Sequence, residues 1–347
     1  MMKKTLVAVA VLAACSASFA QVTMSGKLGF SYQKNAKAAT GAANHGMQMA
    51  DGDVGFKAVE DIGGGVSVSA DARLKLRGRD TTVTARDAIL GVKGSNFGLT
   101  LASVEVASPL FAGHAGAPVS LATGHDNDGN RAPLDTTYNA DVATLSIPFG
   151  AFTGSLAYSE VNNGKGIFGT NTVVGTQDTS GGNNSGLTST GLGLAYVDGP
   201  VAVAVDFTVF AATAATPLFT AAQLNLADGL ARTTLTGTYD FGVAKVGLGL
   251  QTKNHGLPNQ YTLGLNVPVG AISFGLIYSA RNSQEADASV GLGKEDARSA
   301  AAVGLDYNFS KTTALNVSYG TYTGSNTTIG GKETLENEYR IRLMKKF

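Results

Sequence analysis

The stretch Val66-Ser67-Val68-Ser69-Ala70-Asp71-Ala72-Arg73-Leu74-Lys75-Leu76-Arg77 decides the fold. Its even-numbered positions are aliphatic or alanine, and its odd-numbered positions are Ser, Ser, Asp, Arg, Lys and Arg. Successive side chains of an extended strand project to opposite faces, so this segment sets one apolar face against one charged face. A helix would scatter both sets around its circumference. The same period of two runs from Val22, Met24, Leu28, Phe30 and Tyr32 near the start to Tyr339, Ile341 and Leu343 at the end. Between them it recurs over 152–158, 201–209, 235–241, 246–250, 261–267, 272–278, 303–309 and 315–319. No helical period competes over a comparable length.

The connections alternate as well. Short ones fall at 61–65, 94–96, 148–151, 198–200 and 310–312; long polar ones fall at 106–135, 162–187, 211–230, 282–297 and 324–335. Short turns at one rim and long loops at the other are the grammar of a transmembrane barrel, and the count gives about 16 strands. A soluble sandwich or solenoid would also alternate, but its apolar set would have to pack into a dry interior. A sheet closed on that many strands has a centre too wide for side chains to fill. The polar set of Ser, Thr, Asn, Asp, Lys and Arg could not be left dry there without heavy cost. Water therefore belongs inside and hydrocarbon outside, with Tyr32, Tyr158, Tyr196, Phe241, Tyr278, Phe309 and Phe347 near strand ends as interfacial girdles. The fold class is all-β: a multi-pass transmembrane antiparallel β-barrel.

Composition agrees. There are 45 Gly, 8 Pro and no Trp in 347 residues, which suits many turns and strands. The 26 basic and 26 acidic residues balance, which argues against a nucleic-acid partner. Lys3 and Lys4, the apolar run 6–14 and the small residues ending at Ser18-Phe19-Ala20 have the order of a secretory signal peptide. That divides the chain into a leader, 1–20, and a barrel domain, 21–347. The leader's apolar run is far short of the roughly 20 residues a spanning helix needs. Cys15, the one cysteine, lies within it; Leu12-Ala13-Ala14-Cys15 also admits reading as a lipoprotein cleavage box. The processed chain then has no thiol for disulfides or thiolate chemistry.

Chemistry-bearing motifs are sparse. His45, His114, His125 and His255 fall in expected loops, and none shares a strand face with a Ser and a carboxylate as a hydrolytic triad requires. No catalytic residue is therefore assigned, and an outer-membrane protease or phospholipase is the enzyme alternative. Asp126-Asn127-Asp128-Gly129-Asn130 has the oxygen ligands and turn Gly of a calcium loop but lacks the downstream Glu, so a polar turn is preferred and calcium stays open. Gly63–Gly65 and Gly191-Leu192-Gly193 have no strand-to-helix context for nucleotide binding. Neither a cofactor nor a metal is expected.

Parity places Arg73, Lys75 and Arg77 on the face of Ser67, Ser69 and Asp71, pointing into the channel. The pattern leaves open whether they line its narrow part or only hydrate its mouth. Further marks are Ser25-Gly26-Lys27, Gly55-Phe56-Lys57 before Glu60-Asp61-Ile62-Gly63-Gly64-Gly65, Arg86 before Gly91-Val92-Lys93-Gly94, Phe97-Gly98, and Asn130-Arg131. The chain ends in Phe347 behind Tyr339, Ile341 and Leu343. In this order and spacing they resemble the general diffusion porins of Gram-negative bacteria, of the neisserial and burkholderial type, over the whole processed chain.

The resemblance implies an outer-membrane homotrimer of 16-stranded barrels, among lipid and lipopolysaccharide, passing small hydrophilic solutes and ions passively. It implies that the third long loop, 106–135, folds inward and that a terminal Phe is read during barrel insertion. It sets basic residues of the wall, two of which Lys27 and Arg86 match, against acidic residues of that loop, with Arg131 near the loop's end. Asp53 stands where Arg is usual, and Asn139 and Ser103 replace other basic residues, which counts against strong anion selectivity; with Arg73, Lys75 and Arg77 set against Asp53, Asp126, Asp128 and Asp135, a weak preference is expected. Placing Arg86 inward would turn Ala88 and Leu90 inward too, tolerable only beneath the inserted loop. A substrate-specific channel would need aromatic or dedicated binding groups in the lumen, whereas most aromatics here have lipid-facing parity. A structural or adhesive barrel, acting through its long loops, is the other alternative.

Overall fold

The computed structural model describes residues 21–37, 44–76, 84–106, 110–121, 138–162, 187–212, 225, 227–286, 294, 296–323 and 335–347. Sixteen strands follow one another in it. They are β1 (Gln21–Lys37), β2 (Asn44–Gly63), β3 (Val66–Lys75), β4 (Thr84–Lys93), β5 (Gly98–Val106), β6 (Tyr138–Phe149), β7 (Phe152–Asn162) and β8 (Leu187–Asp198), then β9 (Val201–Ala212), β10 (Ala231–Asp240), β11 (Lys245–Lys253), β12 (Gln260–Val269), β13 (Ile272–Arg281), β14 (Arg298–Ser310), β15 (Thr313–Thr323) and β16 (Leu335–Lys346). Each pairs antiparallel with its neighbours in sequence, and β16 returns to β1, so the sheet closes. The seam runs in register from Lys27 opposite Lys346 to Asn35 opposite Glu338. At its foot Gly26 and Phe347 exchange two backbone hydrogen bonds, of 2.9 and 3.0 Å. Closure leaves no unpaired edge, the condition for placing a sheet in hydrocarbon.

The period of two in the sequence becomes the division between the two surfaces. Leu276, Val303, Val317, Ile341 and Leu343 stand exposed on the outside, while their neighbours Ile277, Ala302, Asn316, Ser318, Arg340 and Arg342 are buried on the inside. Connections from even to odd strands are tight. In the β2–β3 turn Gly63, Gly64 and Gly65 have φ of 89°, 64° and 75°, a left-handed path that side chains resist, and the Asp61 carboxylate accepts from the Gly63 N–H at 2.8 Å. Rings gather at this rim: Phe149 against Phe152, Phe152 against Tyr196, Tyr239 against Phe241 and Tyr307 against Phe309, with centroids 4.5–5.7 Å apart. Toward the other rim Tyr32 approaches Tyr339, and Tyr261 approaches Tyr278. These are the two girdles of a membrane-spanning band.

Among the described residues, no dry core fills the centre. Buried apolar residues instead collect in two places on the inner wall. One cluster joins Ala117, Val119 and Leu121 to Ile277, Ala300, Ala302 and Tyr322. The other joins Ala140, Leu187 and Phe210 to Ala227 and Leu230 of the β9–β10 connection. In both, a connection leans on the wall and covers the apolar residues there.

Candidate functional site

The first of these places is made by residues 110–121, which leave β5 and cross the inner face of the later strands. The segment starts with a single 3-10 turn, Phe111–His114, and reverses through Ala115 (φ 55°) and Gly116 (φ 72°). Beyond the bend, polar side chains of the wall hold its backbone. The Asn266 amide donates to the Gly116 carbonyl at 3.2 Å, and the Asn316 amide donates to the Pro118 carbonyl at 3.0 Å. The Ser120 N–H donates to Ser318 Oγ at 2.8 Å, and Arg340 Nη1 donates to Ser120 Oγ at 3.2 Å. Buried polar groups need such partners, and here the strands supply them from side chains because strand backbones are already committed to the ladder. The expected inward course of the third loop is thus visible over 110–121.

The second component is a charged wall on β16, β1, β2 and β3. Lys27, Asp53 and Lys75 lie side by side in register across β1, β2 and β3. Lys27 Nζ is 3.7 Å from Asp53 Oδ2 and 3.3 Å from Asp51 Oδ1. Asp51 is shared. Arg342 Nη1 donates to both of its oxygens, at 3.1 and 2.9 Å, with 1 % of the arginine side chain and none of the carboxylate exposed. Gly29 of β1 makes this reach possible, since a Cβ there would fall on the Asp51 side chain. A bulge in the β1–β2 ladder, where Gly29 faces Asp51 but Phe30 faces Met49, keeps Asp51 inward while Phe30 stays outward. Arg73 is half-exposed; its Nε lies 3.5 Å from Asp71 Oδ1, and Asp87 faces it across the ladder.

Lys27, Asp53 and Lys75 are neighbours in register across three strands, and Arg73 lies two residues from Lys75 on the same face of β3. Arg86 lies in β4 at a register shift. Arg73 faces Asp87 and Leu74 faces Ala85, so Arg86 is the extra residue of a bulge. Beyond the bulge the expected inward turn of Ala88 and Leu90 does not occur: Ala88 faces Ala72, and Leu90 faces Leu101 and is exposed on the outer surface. No covering loop is needed. Ser103 shares that outer face, opposite Ala88. Arg77, Asp126, Asp128, Arg131 and Asp135 lie outside the described residues.

Sequence reasoning missed Asp51, Ser120, Asn266, Asn316, Arg340 and Arg342. The signal for the two arginines was present: they alternate with Tyr339, Ile341 and Leu343, so the parity that marks the outer face of β16 also marks them as inward. Asp51 precedes Asp53 by two and carries the same message. The inward aromatic residues Phe210 and Tyr322 are buried, the former under the Arg232 guanidinium at 5.5 Å, so they offer no exposed aromatic slide.

Comparison with known proteins agrees with this architecture. A family model described as Gram-negative porin matches residues 6–327. Outer membrane porin protein 32 of Delftia acidovorans is 28 % identical over 305 residues, covering 78 % of this chain and 77 % of that protein. Among solved structures, the anion-selective porin from Comamonas acidovorans superposes with a TM-score of 0.62 at 20 % identity, covering 94 % of this chain and all of that one. A triple mutant of the Rhodopseudomonas blastica porin gives a TM-score of 0.59 at 14 % identity with the same coverage.

Proposed function

The chain belongs to the Gram-negative porin family, and from that premise we propose how it conducts, assembles and is processed. It is a multi-pass barrel of the outer membrane whose water-filled lumen lets small hydrophilic solutes diffuse passively. The observation that carries this is the exposed apolar outer face of the closed barrel set against an inner face rich in polar and charged side chains. Conduction through such a lumen needs no catalytic step; size and charge preference come from the side chains that line it.

The reading proposed for selectivity is a weak ion preference, with residues 110–121 narrowing the lumen and Lys27, Asp53, Arg73 and Lys75 lining it. Lys27 is matched by Asp51 and Asp53, and Arg73 by Asp71 and Asp87, so neither sign dominates that wall. A solved relative carries the description anion-selective; the acids of β2 are the reason to expect a smaller preference here. On the sequence reading, Arg77, Arg86 and Arg131 would add positive charge and Asp126, Asp128 and Asp135 negative charge. Stepwise conductance in a planar bilayer, with a reversal potential near zero in a KCl gradient, is the expected result. Silent insertion would overturn the channel, and a strongly ion-selective potential would overturn only the weak preference.

Association as a homotrimer is proposed from the outer surface of β2–β5. There Ala58, Ala70, Ala72, Ala88 and Ser103 form a shallow apolar depression beside Phe56, Leu90 and Leu101, where a neighbouring barrel can approach closely. Cross-linking in mild detergent should trap three chains; a species confined to one chain would refute it. Residues 1–20 are proposed as a cleaved leader, so the N-terminus of the outer-membrane form should read Gln21. Lipid and lipopolysaccharide are the proposed surroundings of the aliphatic face.

A further inference from the structure

The segment 110–121 crosses the wall along a path of glycines. Gly247 and Gly249 of β11 underlie Leu110 and Gly113; Gly264 of β12 underlies His114. Gly275 of β13 and Gly304 of β14 underlie Pro118, and Gly320 of β15 underlies Leu121. A Cβ added at Gly275 would stand 2.5 Å from Pro118 Cδ, and one at Gly320 would stand 2.5 Å from Leu121 Cδ1. At Gly247, Gly264 and Gly304 it would meet the segment's own backbone, which has no rotamer to yield. Glycine within a strand forfeits packing and costs conformational entropy, so its use on one face of five successive strands marks close approach by another chain segment. The wall has a shelf with the outline of this segment.

A shelf alone does not fix position along its length. The contacts of Ala117, Val119 and Leu121 with Ile277, Ala300, Ala302 and Tyr322 are non-directional. Direction comes from hydrogen bonds. Those from Asn266 and Asn316, and the one Ser318 accepts, engage the segment's backbone and would serve almost any sequence laid there. The bond from Arg340 differs, because it selects the side chain of Ser120. Both residues are buried, with 4 % and 0 % of their surfaces exposed. In register Arg340 lies between Ser318 of β15 and Gln33 of β1, at the strand that closes the barrel. It therefore ties Ser120 to the same strand that holds Asp51 through Arg342.

We infer that Arg340 is a positioning residue of the channel: by donating to Ser120 Oγ it pins the segment at one height on the glycine shelf and so sets the aperture beside it. This rests on the channel reading above. It assigns Arg340 to the placement of the constricting segment and not to contact with permeating ions, which a residue so buried does not meet. The shelf makes the placement rigid, and the arginine makes it unique.

Single-channel recording of S120A, R340K and R340A in KCl tests the inference, with heat-modifiable gel migration reporting whether each barrel has folded. In S120A we expect the conductance step to change by about 1.5-fold and the open-channel current to become noisier, as a segment that has lost its one side-chain-selective bond samples more than one height. In R340K an ammonium can still reach the hydroxyl, and the conductance should return toward that of the parent. S120A carries the test alone if R340A fails to fold, because removing one hydroxyl leaves the arginine in place. If both single variants fold, S120A/R340A should show no more than the effect of R340A. Folded S120A barrels with unchanged step size and noise would overturn the inference. Parent channels that never conduct would instead overturn the reading beneath it.

Discussion

Asp53→Asn gives the sharpest prediction, because it removes one charge from the wall while keeping the side chain's size. Lys27 Nζ lies 3.7 Å from Asp53 Oδ2, with 18 % and 14 % of the two side chains exposed, and Lys75 faces Asp53 from β3. At ~4 Å a unit pair attracts by about 1 kcal/mol in water and about 4 kcal/mol at the effective dielectric of a protein surface. That attraction keeps the field of the two lysines local. Replacing the carboxylate by an amide makes this part of the wall more positive by one unit of charge. An ion passing at ~5 Å through water would feel about 0.8 kcal/mol from it, reduced to about 0.5 kcal/mol by screening in 0.1 M salt. The effect has opposite sign for chloride and potassium, so their permeability ratio should rise about fivefold in favour of chloride. The assay is the reversal potential in a tenfold KCl gradient, which should move by a few tens of millivolts. Raising the salt toward 1 M shortens the screening length to about 3 Å and should remove most of the shift. A folded, conducting D53N channel with an unchanged potential at low salt would refute the argument, since Asp53 would then not face the path of the ions.

The same structure yields other expected outcomes. Lys27→Glu should move the reversal potential toward potassium, and an unchanged value would place Lys27 off the ion path. Asp51→Ala leaves the Arg342 guanidinium buried without its carboxylate and should cost about 3–5 kcal/mol of barrel stability; adding Arg342→Met should restore much of the loss, as read by unfolding in urea from lipid vesicles. Leu276→Arg puts a charge on the lipid face near the middle of β13 and should cost about 2–4 kcal/mol, whereas Leu276→Phe should leave stability nearly unchanged in the same measurement. Deleting Phe347 removes both backbone bonds to Gly26 at the foot of the seam and should lower the yield of heat-resistant barrel; an undiminished yield would show that the seam closes without them.

The barrel was legible in the sequence because the polarity of a strand's two faces is a local property. Stretch 66–77 carries it within twelve residues, and repetition with alternating loop lengths gives the strand count and both rims. The same parity assigns Lys27, Arg73 and Lys75 to the polar face, and extended to β16 it assigns Arg340 and Arg342 there too; Asp53 is singled out only by the resemblance to general porins. Partnership was a different matter. Asp51 and Arg342 are 291 residues apart, and Ser120 and Arg340 are 220 apart. They meet only when β16 closes on β1 and the segment 110–121 lies down on the wall. Bulges in the β1–β2 ladder beside Gly29 and in β4 at Arg86 each add one residue to one strand, which reverses the facing of the residues beyond it and carries no mark in the local pattern. Alternation along each strand is enough to say which surface meets lipid and which meets water. Tertiary structure alone decided which charges cancel and where the loop rests, because both depend on register across a closed sheet.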